Sequence, residues 1–202
     1  MRLLAFDTSG EILSAAVAED GRVLCEMENA AGTRHSAALI PLLEKLMKKA
    51  RWTPGQVDVL AVGVGPGSFT GIRVGVATAK MLALVWKKPL VGVSSLEALA
   101  YASDAAVDQA PVAIDARRGM IYAALYARKN GAWVERASPA LTTLVEFSKK
   151  FSGPVSVLER PVVRASAVAL AAFARAKAKR VVTPDGLEPL YLRPKDCNVT
   201  KK

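Results

Sequence analysis

The sequence has little of what metal and redox chemistry needs. It holds two cysteines, Cys25 and Cys197, and one histidine, His35, in 202 residues. The cysteines form no Cys-x-x-Cys pair, so a zinc site is not expected. Cys25 falls in a strand-like run and reads as a small core residue, and a reducing cytoplasm fits so few thiols. A lone imidazole near a helix start reads as a capping or packing group, and a histidine metal site is not expected. Long hydrophobic runs are missing too. None approaches the ~20 residues that span a bilayer, so no membrane partner is expected. The opening Met1–Asp7 lacks the longer apolar core and cleavage site of a signal peptide and reads as a buried strand.

What is present is apolar substance and positive charge. Half the residues are hydrophobic and net charge is +10, which makes the chain globular, with room for one domain or two small lobes. The charge is uneven: +3 through Glu159 and +7 from Arg160 onward. Such an end suits nucleic acid or an acidic partner, or is simply a solvated surface.

The most distinctive stretch runs from Val62 to Gly75, Val-Gly-Val-Gly-Pro-Gly-Ser-Phe-Thr-Gly-Ile-Arg-Val-Gly. An apolar run precedes it and an apolar helical run follows to Trp86, so it reads as buried strand, Gly-rich loop and helix. Ser68 or Thr70 is placed to cap that helix, whose N-terminus presents free N–H donors. No Gly-Lys-Ser/Thr follows, which excludes a Walker A loop, and Ser68 breaks the dinucleotide fingerprint. A tight strand–helix turn without a ligand remains the plain alternative. Gly71, Gly75, Ala79 and Ala83 recur every four residues and form a small-residue helix face open to close approach.

Around this centre the pattern predicts strands over Arg2–Phe6, Ile12–Ala18 and Arg22–Glu28, the last two joined at Asp20-Gly21. A helix is predicted from Thr33 to Ala50, with Leu39, Leu42, Leu43 and Leu46 at helical spacing and Pro41 near its start. A short strand at Leu90–Val93 leads into Ser94-Ser95-Leu96-Glu97, which resembles a capping box. Pro111–Ile114 is a further strand, ending at Asp115, with a hairpin around Asn130-Gly131. Helices are predicted over Leu141–Phe151 and Arg164–Lys179, then an extended Leu187–Pro194 and a loose basic end from Lys195. Asp7 with its hairpin and Asp115 with its hairpin suggest an internal duplication. Strand, Asp-bearing turn and hairpin resemble the opening of an actin-like ATPase lobe, where the carboxylate helps hold a metal; the plain alternative for Asp7 is a turn residue satisfying its own backbone.

Phe6-Asp7-Thr8-Ser9, His35-Ser36, Gly65-Pro66-Gly67-Ser68-Phe69-Thr70-Gly71-Ile72-Arg73, Gly92-Val93-Ser94-Ser95-Leu96, Asp115-Ala116-Arg117 and Tyr191-Leu192-Arg193 occur in that order. Together they resemble the TsaB (YeaZ) family of bacterial tRNA threonylcarbamoyladenosine biosynthesis, over nearly the whole chain. The resemblance implies an α/β fold of the actin-like ATPase (ASKHA, ribonuclease H-like) type, with two lobes and a truncated second lobe. We place the first lobe at 1–103, carrying the partner-binding helices, and the shorter second lobe with its basic tail at 104–202.

The resemblance also implies a role: a non-catalytic scaffolding subunit, paired with a TsaD-like catalytic subunit and a TsaE-like ATPase. That complex adds threonylcarbamoyl to N6 of adenosine 37 in tRNAs reading ANN codons. Contact with tRNA would come through the complex, ATP or ADP would act at the level of the complex, and the chain would have no cofactor, metal or catalytic residue of its own. Alone, it could form a homodimer. The resemblance further implies that the catalytic TsaD-like paralogue carries His-x-x-x-His where this chain has Ser95 and Leu99, and a hydroxyl and an alkyl group cannot replace two imidazoles. The expected partner surface comprises His35, Leu39, Leu42, Leu43, Leu46, Ile72, Gly75, Val76, Ala79, Leu82 and Ala83. Asp7, Thr8, Ser9, Gly65, Gly67 and Ser68 form the expected vestigial nucleotide site. The competing reading is a small actin-like ATPase or phosphotransferase that uses Asp7 and the Gly-rich loop. A hydrolase would need a nucleophile–base pair; Ser9, Ser36 and Ser68 are available, but His35 is the only conventional base and no Gly-x-Ser-x-Gly elbow appears, so that reading is set aside.

Overall fold

The fold was obtained as a computed structural model and is described for residues 1–29, 34–103, 107–151 and 153–193. Thr33, residues 104–106, the basic end from Lys195 and Cys197 lie outside the described residues. Strands β1 (Arg2–Asp7), β2 (Leu13–Glu19), β3 (Arg22–Asn29), β4 (Val59–Gly65) and β5 (Leu90–Ser94) form one sheet in the order β3-β2-β1-β4-β5. Strands β6 (Gln109–Asp115), β7 (Ile121–Lys129), β8 (Ala132–Thr142) and β9 (Val157–Leu158) form a second, in the order β8-β7-β6-β9.

The two sheets share one plan. In each, the first strand pairs antiparallel with the second and parallel with the fourth. The hairpin turns are alike as well: Asp20-Gly21 and Asn130-Gly131 both take positive φ at both residues, the backbone that two-residue hairpins require. The second sheet has no counterpart of β5 among the described residues, and β9 is two residues long. The second lobe is therefore a shortened copy of the first.

Helix α1 (His35–Ala50) precedes a single 3-10 turn at Pro54–Gln56 and β4. Helix α2 (Phe69–Trp86) follows β4, and α3 (Ser95–Tyr101) follows β5. Alternation along β1 explains how both sheet faces are covered. Leu4 and Phe6 pack under α1 and α2, while Leu3 and Ala5 face a second cluster that includes Ala167, Val168 and Ala171. Those residues belong to α5 (Ala165–Lys177). The predicted second lobe of 104–202 thus loses this helix: α5 leaves β9 and packs on the first sheet, where its small alanines let it lie close. The predicted helix over 141–151 shrinks to α4 (Leu144–Ser148), because β8 continues through Thr142.

By length and composition α2 passes as a membrane span. Here its inner face closes the core instead.

Candidate functional site: a sealed turn beside an open cleft

Both lobes put a carboxylate at the end of their first strand, and both use it the same way. Asp7 Oδ1 accepts the Ser9 N–H at 2.8 Å, and Asp115 Oδ1 accepts the Arg117 N–H at 2.8 Å. These are Asx turns, which an Asp makes with its own backbone. The environments differ. Asp115 keeps partial exposure and borders the cleft between the lobes, whereas Asp7 is fully buried. Gly63 on β4 makes that burial fit, since any Cβ there would collide with the Asp7 carboxylate. Ser9 Oγ donates to the carboxylate at 2.9 Å and meets Ser95 Oγ at 3.1 Å. Burial pushes the Asp7 pKa up to about 6; the Ser9 bonds and the charge of His35 pull it the other way without cancelling the effect.

The Gly-rich loop is occupied by the chain itself. Ser68 N–H donates to the Ser9 carbonyl at 2.7 Å, and Ser68 Oγ caps α2 by accepting the Gly71 N–H at 3.2 Å. A Cβ on Gly67 would strike Ser9. Thr8 Oγ1 donates to the Gly71 carbonyl at 2.7 Å. The loop is strapped to the turn after β1, and two N–H groups of the helix start that could face a phosphate in an open loop, those of Ser68 and Gly71, are committed to protein acceptors. Of the six residues expected at a nucleotide site, Ser9, Gly67 and Ser68 border the interlobe cleft of about 600 Å³. Asp7, Thr8 and Gly65 do not border it. The cleft's charged rim includes Arg117, Arg160 and Arg193 against Glu11, Asp115 and Glu159.

The histidine-equivalent positions hold a hydroxyl and an alkyl group. Ser95 is buried with its hydroxyl on Ser9, and Leu99 packs among the apolar residues between the sheets. Among the described residues no three metal-ligating side chains cluster. Ser94 Oγ caps α3 by accepting the Glu97 N–H at 3.0 Å, but the rest of the expected capping box is absent. The Glu97 carboxylate instead pairs with Arg175 of α5 through both oxygens, and Arg175 also donates to the Gly92 carbonyl at 2.9 Å. Burial raises the Glu97 pKa and the Arg175 charge lowers it, the first effect being larger.

The helix faces need a correction. Leu39, Leu42, Leu43 and Leu46 of α1, and Ile72, Gly75, Val76, Ala79, Leu82 and Ala83 of α2, are all buried in this chain's own core. The small-residue face is internal: a Cβ on Gly71 or Gly75 would run into Thr8. Small residues were needed to seat α2 on the β1 turn, so they do not form a free surface. Leu43 and Leu82 also border a groove of about 400 Å³ between α1 and α2, with Trp52 and Trp86. His35 is half-buried and bonds the Glu11 carbonyl at 3.3 Å, a packing role. The large apolar residues turned outward on α2 are Phe69, Met81, Leu84 and Val85, at 53, 48, 64 and 71% exposure. Sequence reasoning passed over these four. Their signal was a helix with large apolar residues on more than one face, of which a single sheet covers only one.

The paired sheets, the duplicated carboxylate turns and the cleft between them define a two-lobed actin-like, ribonuclease H-like protein with a shortened second lobe. The chain belongs to the TsaB (YeaZ) family, within the wider group described by a TsaD model, tRNA N6-adenosine threonylcarbamoyltransferase, which matches residues 28–177. It is 37% identical over 136 residues to the tRNA threonylcarbamoyladenosine biosynthesis protein TsaB of Escherichia coli K12, covering 66% of this chain and 58% of that protein. With the Bacillus subtilis protein of the same name, identity is 35% over 162 residues, covering 78% and 70%. The solved structure of YeaZ from Pseudomonas aeruginosa superposes with a TM-score of 0.82 at 25% identity, over 95% of this chain and 99% of that one.

Proposed function

We propose that this chain is a non-catalytic subunit of the machinery that adds threonylcarbamoyl to N6 of adenosine 37 in tRNAs reading ANN codons. In this reading it works in the cytoplasm, binds a TsaD-like transferase directly, and meets a TsaE-like ATPase and tRNA through the assembly. The observation that carries the reading is the closed β1 turn. Asp7 is sealed beneath Gly63 and Ser9, and the Ser68 and Gly71 N–H groups of the Gly-rich loop are bonded inside the chain. A catalytic nucleotide or metal site would need those groups facing the cleft, and this arrangement argues against the ATPase or phosphotransferase alternative. ATP or ADP is then a requirement of the complex. Any nucleotide held here would rest weakly against Ser9, Gly67 and Ser68, without Asp7.

The partner surface we propose is the outward face of α2, centred on Met81, Leu84 and Val85, continued by the groove to α1. Large apolar side chains left in the open on one helix face mark interaction sites more often than isolated ones do. The same face could pair two copies of this chain when the partner is missing. Co-purification of the tagged chain with a TsaD-like subunit tests the proposal. Leu84→Arg should abolish capture while the melting temperature stays put. Capture that survives this change would place the partner elsewhere, and metal-dependent tRNA modification by the chain alone would overturn the non-catalytic role.

A further inference from the structure

Opposite the cleft that Asp115 borders lies a second cavity between the lobes. It has about 740 Å³, within the range of small-molecule sites. The two duplicated hairpin turns, Asp20-Gly21 and Asn130-Gly131, form part of its rim, and the C-terminal half of α5 forms a wall. Gly21 takes φ +80° and lies against the Phe173 ring, where a Cβ would be 3.0 Å from that ring. Tyr101, Trp133 and Phe173 give the cavity an aromatic lining, and Arg128 and Lys177 give it positive charge.

Arg128 is the unexplained group. Its guanidinium carbon lies 4.6 Å from the centroid of the Trp133 ring. Its Nε is buried and has no hydrogen-bond partner among the described residues. A buried donor left unpaired costs stability, so the contact with Trp133 accounts for the guanidinium but not for its unpaired Nε. Asp20 is the one carboxylate among the described lining residues, and it is taken up by the Met1 ammonium at 2.6 Å. Among the described residues the wall therefore carries two cations and one engaged anion. An arginine fork suits planar or tetrahedral oxyanions, and the aromatic walls suit a ring.

We infer that this rear cavity is a binding site for a small aromatic phosphate, with the phosphate on Arg128 and Lys177 and the ring against Trp133 and Phe173. The site uses no residue of the β1 turn or of the outward α2 face, and it stands whether or not the proposed function does.

The probe is 1-naphthyl phosphate, titrated into the full chain labelled with 15N, with the Trp133 indole signal assigned by Trp133→Phe. The expected result is a saturable shift of the Trp133 indole and of the Arg128 Nε–H, lost in Arg128→Met. Arg128→Met should melt no lower than the unaltered chain, because it removes an unpaired buried donor; a purely structural arginine would lower melting. Lys177→Met, at an exposed position, should weaken binding several-fold without affecting the fold. Three results would overturn the inference: no saturable shift in the unaltered chain, undiminished binding in both variants, or 1-naphthol binding as tightly as its phosphate.

Discussion

Asp7 shows how one residue's role turns on a neighbour far away in sequence. As a strand-end Asp it could hold a metal or close its own turn, and its spacing from Ser9 served either. The structure chooses the turn, because Gly63 on β4 lets the carboxylate sink beneath the sheet edge. Nothing near Asp7 in sequence announces that burial. The consequence is measurable. Between the ordinary value of 3.8 and about 6, the folded chain keeps a proton that the unfolded chain has released. This contribution to stability is fully present below the lower value and is lost as pH rises through the upper one. Urea unfolding across that window should show the unaltered chain losing up to about 3 kcal/mol relative to Asp7→Asn, which keeps the oxygen for Ser9 but cannot titrate. Parallel pH profiles for the two proteins would mean that Asp7 is not sealed.

Helix α2 was legible as an element but not as an orientation. The Gly-rich start, the Ser68 cap and the end at Trp86 follow from local chemistry. Which face meets the sheet depends on Thr8, which lies more than sixty residues earlier and accepts only hydrogen where Gly71 and Gly75 stand. The two faces should therefore respond in opposite ways. Gly75→Leu forces bulk into a filled core and should cost roughly 1–3 kcal/mol or more, seen as a lower melting temperature. Leu84→Arg should leave melting unchanged and remove the partner. Helix α5 tells a similar story. Its Arg175 looked like part of a basic surface, yet it neutralises buried Glu97 and ties α3 to β5. Arg175→Ala strands that carboxylate and should cost about 3–5 kcal/mol. For a chain this size that is roughly 2–4 °C of melting temperature per kcal/mol. A change of under one degree by calorimetry would show the pair to be dispensable.

At the scale of the whole molecule, the duplicated plan could be read from two Asp-ended strands and two Gly-bearing hairpin turns. Turn chemistry is local, so both hairpin turns were placed correctly and the first hairpin's strands lie close to their observed bounds, whereas β8 runs on through Thr142 into the stretch read as a helix. The exchange of α5 between lobes was not legible, since an Ala-rich helix fits any close-packed surface and its address is set by long-range packing. The sealed turn after β1 and the outward apolar face of α2 together support the central proposal, that this chain contributes a surface rather than a reaction. The most direct measurement is threonylcarbamoyl transfer to tRNA by a purified TsaD-like subunit, with its ATPase, substrate adenylate and either this chain or Leu84→Arg. Product should form with the unaltered chain, be lost with Leu84→Arg, and be absent when the TsaD-like subunit is withheld. Product formed without the TsaD-like subunit, or formed equally well without this chain, would contradict the account.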